Sequence, residues 1–113
     1  AHPFGPEEVM TEAAKEICKW IREAGSTPVA YMTWAEKENE AGQQQMTDAY
    51  RRMAEETGAV LAPVGEEWWK YIHAHPDVQM YASDGQHASP EGSALAAEIL
   101  LEAILTKERQ ARP

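Results

Sequence analysis

The residues best equipped for chemistry stand together in the run Asp84-Gly85-Gln86-His87-Ala88-Ser89-Pro90-Glu91-Gly92. An Asp and a His three positions apart across a glycine-containing turn can lie side by side. The carboxylate then accepts the imidazole Nδ1–H and leaves Nε2 as a base. The same carboxylate stabilises the imidazolium formed when a hydroxyl proton is taken. These are two members of a nucleophile–base–acid set, and the chemistry suits acyl transfer through a hydroxyl supplied from elsewhere. Ser89 lies where a helix N-cap belongs, just before Pro90, with no elbow and no oxyanion donors around it, so it reads as structural. The competing view of Asp84 and His87 is a surface Asp-Gly turn ahead of a capped helix, with the imidazole merely hydrogen-bonded.

Other side chains offer less. Trp34 closes an expected strand at the edge of the site and is a candidate substrate-binding residue, although a tryptophan in such a place is often core. His73 and His75 stand at i and i+2 of a short helix, point apart and have no third ligand at a suitable spacing, so no metal is expected. The single cysteine, Cys18, forms no internal disulfide, lacks a C-x-x-C partner and falls among the apolar positions of a helix, which makes it a core residue. Trp68 and Trp69 are adjacent and point to different sides of their helix, so at most one is expected to be fully in the core. His2 has no context.

Positioning the Asp84–His87 turn falls to an alternation of helices and strands. Pro6, Glu7 and Glu8 open a first helix. Val9, Met10, Ala13, Ala14, Ile17, Trp20, Ile21 and Ala24 give it a broad apolar stripe expected to face a core, and Gly25 ends it. Thr27 to Trp34 (TPVAYMTW) reads as a largely buried strand. The mostly charged or small residues 35–42 make a solvated connection. A second helix from Gln43 carries Met46, Ala49, Tyr50, Met53, Ala54 and Thr57 on one face and closes at Gly58. A short strand follows at Ala59–Pro63, and a third helix after Gly65 stops before Pro76. Met80–Ser83 extends briefly. The last helix opens at Ser89 and Pro90 with Leu95, Ala96, Ile99, Leu100, Ala103 and Ile104 in phase, and its tail frays from Lys107.

This order predicts an α/β fold, part of a doubly wound, flavodoxin-like parallel sheet with helices on its faces, and one domain over residues 1–113. Only two strands are convincing, and a stable sheet wants three or more. Two buried parallel strands leave an open ladder, so the expected partners are a missing N-terminal half of the same fold or another copy of the chain. The isolated chain is expected to be unstable or to associate through that edge.

Composition narrows the field further. With 43% apolar and 26% charged residues over 113 positions, the chain belongs among globular proteins. A formal charge of -9 repels phosphate backbones and argues against nucleic acid as a partner. No apolar run approaches the roughly 20 residues that span a bilayer. The chain opens on Ala1 rather than Met, which leaves room for a removed export signal and fixes no compartment.

The Asp84, His87, Ser89 and Gly92 pattern resembles the last motif of the SGNH hydrolases, also called GDSL-like lipases and acylhydrolases, and the apolar Leu95, Ala96 and Ala97 that follow resemble that family's closing helix. Matching these four types at fixed spacing by chance is on the order of 1 in 100,000 per window. Thr33-Trp34 and Ala62-Pro63-Val64-Gly65 also look like a bacterial branch of the family. The resemblance implies a serine ester hydrolase of the EC 3.1 class, with His87 as catalytic base and Asp84 as its orienting acid. Its substrate would be a small-molecule or carbohydrate ester, and no cofactor is needed. The family's GDS-like serine turn and its Gly-x-Asn-Asp block find no match here. The resemblance therefore implies the C-terminal part of such a domain, inactive alone, its serine outside this chain. The alternative function is a non-catalytic interaction module derived from a hydrolase half-domain.

Overall fold

The computed structural model describes residues 6–111. Its helices are α1 (Glu7–Glu23), α2 (Ala41–Thr57), α3 (Val64–Ala74) and α4 (Pro90–Ala111), and its strands are β1 (Val29–Tyr31) and β2 (Val60–Ala62). The strands pair in parallel, with Val29 opposite Val60 and Tyr31 opposite Ala62, and α2 makes the crossover between them. This is a helix-rich α/β unit around a two-stranded parallel sheet. His2 lies outside the described residues.

Strand alternation sorts the two faces. Met32 meets Gln43 and Thr47 of α2, while Tyr31 and Ala62 pack with Ala96, Ile99 and Leu100 of α4. Two of the helices end at glycines. Gly58 is left-handed at φ 72° and its N–H closes on the Ala54 carbonyl, and Gly25 at φ 83° follows the end of α1.

β1 is shorter than the Thr27–Trp34 expected, for a specific reason. Met32 still donates to the Ala62 carbonyl, but the next residues leave the ladder and are taken over by the buried amide of Gln43. Its Oε1 accepts from Ala35 N–H at 2.7 Å, and its Nε2 lies 3.5 Å from the Thr33 carbonyl and 3.3 Å from Thr47 Oγ1. Gly65 lies inside α3 rather than ahead of it. A Cβ there would collide with the Thr33 carbonyl, so only glycine lets the helix start this close to the strand end.

Three other expectations are corrected. The apolar stripe of α1 is wider than its contact with α2. Thr11 and Cys18 are buried, whereas Val9, Ile17 and Trp20 on the other flank are 66%, 50% and 59% exposed. Polar ties do much of the docking. Arg52 forks onto the Glu7 carboxylate at 2.6 and 2.7 Å, and Arg22 donates to the Thr57 carbonyl. Trp68 and Trp69 are both buried, because α3 is wedged between α2 and α4 and so covered on more than one side. Finally, α4 stays helical through Lys107 to Ala111 instead of fraying.

Trp68 is the centre of the packing. It is fully buried, stacks on Trp34 at 4.2 Å with 3° between planes, and meets Tyr81 edge-on at 5.3 Å. Trp68→Ala is expected to cost about 3–5 kcal/mol of unfolding free energy. A denaturant melt followed by circular dichroism checks this, and a loss below about 1 kcal/mol would show that the indole is not the keystone.

Candidate active site

The turn that bears Asp84 and His87 is built by local rules. Asp84 Oδ1 accepts the N–H groups of Gln86 and His87, each at 2.9 Å, which is an Asx turn, and Gly85 takes the left-handed conformation at φ 70° that the turn needs. The flanking chain closes beneath it. Tyr81 bridges Ala88 antiparallel, and Ala82 N–H donates to the His87 carbonyl at 2.8 Å. The brief extension expected over Met80–Ser83 thus amounts to this one bridge.

With its first oxygen occupied by backbone, Asp84 offers Oδ2 to His87 Nδ1, and the two are hydrogen-bonded. The bond to His87 and then the two backbone N–H groups hold the Asp84 carboxyl down at about 2, well below the ordinary carboxylate range. An ionised carboxylate only accepts, so the proton of this bond sits on Nδ1. Nε2 has no partner among the described residues, and the imidazole is largely exposed. The pair is thus posed as a base whose second nitrogen is available.

Ser89 and Gly92 have structural work. Ser89 Oγ accepts the Gly92 N–H at 3.1 Å, capping α4, and donates to the Gln79 carbonyl at 2.6 Å. A Cβ on Gly92 would meet the Met80 carbonyl and the Trp68 ring, so the helix rests on the indole only because that position is glycine.

Trp34 lies just past the end of β1 and comes to the same place from the other side. Its Nε1–H donates to the Gln86 carbonyl at 2.8 Å, and Lys37 N–H donates to the Gly85 carbonyl at 2.9 Å. Tyr81 adds a third tie, its hydroxyl donating to the Ala35 carbonyl at 2.6 Å, while burial pushes that phenol up to about 12. The three sequence-derived candidates, Asp84, His87 and Trp34, therefore converge at the carboxyl end of β1, the side on which open α/β sheets gather ligands. Beside them Tyr31, Trp34, Ala88, Ser93 and Leu100 line a hollow of about 270 Å³. Larger grooves lie elsewhere, the two largest of these being about 550 Å³ along β2 and α4 and about 590 Å³ between α2 and α3. Neither contains the Asp84–His87 pair, so size does not assign the site.

His73 and His75 do not converge. His73 Nε2 pairs with Glu40 at 2.6 Å and His75 turns to the Tyr71 carbonyl. No group of three His, Cys, Asp or Glu side chains among the described residues is placed to hold a metal. No helix there is long and apolar enough to cross a membrane. Gln43, Tyr81 and the Trp34–Trp68 stack escaped sequence analysis. A polar residue in phase with Met46 and Met53 was the available signal for Gln43.

No family model and no curated protein matches the chain. Among solved structures it is similar to a protein described as a putative SGNH hydrolase from Slackia heliotrinireducens, with 28% identity and a TM-score of 0.74. The match covers 86% of this chain and 56% of that protein. This likeness supports an SGNH-like α/β fold, and the chain spans little more than half the length of the protein it matches.

The depressed Asp84 carboxyl sets a pH expectation with a definite sign. A carboxyl held below its unfolded value stabilises the turn fully above about pH 4, and that contribution is lost as pH falls through about 2. A carbon-detected NMR titration should show Asp84 among the last carboxyls to protonate. A midpoint near the ordinary value of about 3.9 would mean that the bond to His87 does not persist in solution.

Proposed function

We propose that this chain is the C-terminal part of an SGNH-type serine ester hydrolase and supplies its base. The observation that carries the proposal is the hydrogen bond that His87 Nδ1–H donates to the ionised Asp84, which leaves Nε2 unpartnered among the described residues on the strand-end face. The similarity to a hydrolase fold supports the same reading.

In this mechanism His87 Nε2 takes the proton of a serine hydroxyl as its oxygen attacks the ester carbonyl carbon. Asp84 stabilises the imidazolium that forms. As the tetrahedral intermediate collapses, Nε2 returns the proton to the departing alkoxide, leaving an acyl-serine. Water repeats the sequence, giving its proton to Nε2 and releasing the acid and the free serine. The serine and the oxyanion donors stand outside residues 1–113, in an N-terminal half of the domain. Ser89 is unsuited to the role, since its hydroxyl is committed to the Gln79 carbonyl and the Gly92 N–H.

The hollow beside Trp34 and Ala88 is apolar enough to take the acyl part of a small-molecule or carbohydrate ester, with Trp34 as one wall. The missing half would pair with the outer edge of β1 and cover the exposed flank of α1. A second reading, a non-catalytic module, draws on that same flank, because exposed Ile17 and Trp20 also suit a binding surface.

A fluorophosphonate probe separates the two. The full protein carrying this chain should be labelled on a serine, and His87→Ala should slow labelling by about 100-fold or more. The 113-residue chain alone should not react. A folded full protein that resists the probe would rule out the hydrolase and favour the module.

A further inference from the structure

We propose that Trp34 is a positioning residue, whose indole N–H holds the Gln86 carbonyl and thereby fixes the turn in the form that lets Asp84 meet His87. Its catalytic meaning rests on the hydrolase reading above, whereas its structural content does not.

Burial does not secure this turn, because Asp84, Gln86 and His87 are all exposed. Its internal bonds are short-range, and turns of this kind interconvert readily when nothing outside them is attached. Two of the external ties are backbone groups, Lys37 N–H to Gly85 and Ala82 N–H to His87. Among the described residues, Trp34 is the one side chain from outside the turn that bonds to it. It is also held unusually well. The ring lies at 4.2 Å on Trp68, which is fully buried and backed by Gly92 at the first turn of α4. A side chain with two rotatable bonds, clamped on one face, spends little entropy in keeping its donor aimed. A rigid path therefore runs from the core through two indoles to the backbone between Asp84 and His87. The same α4 that carries the Trp68 contact begins at the Ser89 cap, so both sides of the turn are referred to one aromatic platform.

Trp34→Phe tests this directly, because it keeps an aromatic ring to stack on Trp68, though a smaller one, and deletes the donor. In the full chain the Asp84 carboxyl should titrate at least one pH unit higher than in the unaltered protein, where it lies at about 2. The low-field His87 Nδ1–H resonance should broaden or vanish, and the melting midpoint should hold to within about 4 °C. A folded variant that keeps both the resonance and the low midpoint overturns the proposal. Should the variant not fold, hydrogen exchange of the Trp34 indole N–H in the unaltered chain decides instead. It should be at least about tenfold slower than that of exposed Trp20, and equal rates would overturn the proposal. These readouts report the geometry of the pair rather than turnover. Failure of the probe to label the full protein leaves them untouched, and their failure leaves the hydrolase reading open.

Discussion

The contact on which the site depends is the stack of two indoles, Trp34 on Trp68, with Gly92 behind. Remove the plane of Trp68 and three elements lose their common reference: the segment after β1, the α3 helix that carries Trp68, and the first turn of α4. Close packing makes this contact exacting. Gly92 admits the indole because it has no Cβ, and Gly65 admits the Thr33 carbonyl for the same reason. Gln43 completes the frame by answering, from a buried position, the backbone groups that β1 leaves unpaired as it ends. The exposed turn that bears Asp84 and His87 is thus held by groups packed on the core.

The sheet has two strands among the described residues. Each strand has one neighbour among the described residues, and several large apolar side chains stand exposed, notably Ile17, Trp20, Leu101 and Ile104. Covering such a side chain is worth about 1.5–3 kcal/mol of apolar transfer free energy. The match covers 56% of the solved protein that this chain resembles.

Sequence alone revealed the local features and missed the distant ones. Asp84, Gly85, His87 and Ser89 were legible because the turn and cap that join them are written within a few residues. Helix ends at Gly25 and Gly58, the two strands and the placement of Trp34 at the site edge followed from patterns of the same range. The partners of Trp34 were not legible, since Gln86 and Trp68 lie far along the chain and no periodicity links them. The breadth of the α1 stripe misled for a related reason: periodicity says which residues share a face but not how much of that face a neighbour covers. The two buried tryptophans show the converse, for a helix inserted between two others buries more than one side.

An experimental structure of the full protein inhibited by a phosphonate addresses the central claim most directly. Expected is an adduct on a serine outside this chain, with His87 Nε2 within about 3 Å of the serine or phosphonate oxygen and Asp84 on Nδ1. An adduct remote from His87, or an imidazole turned away with Asp84 bonded elsewhere, would contradict it.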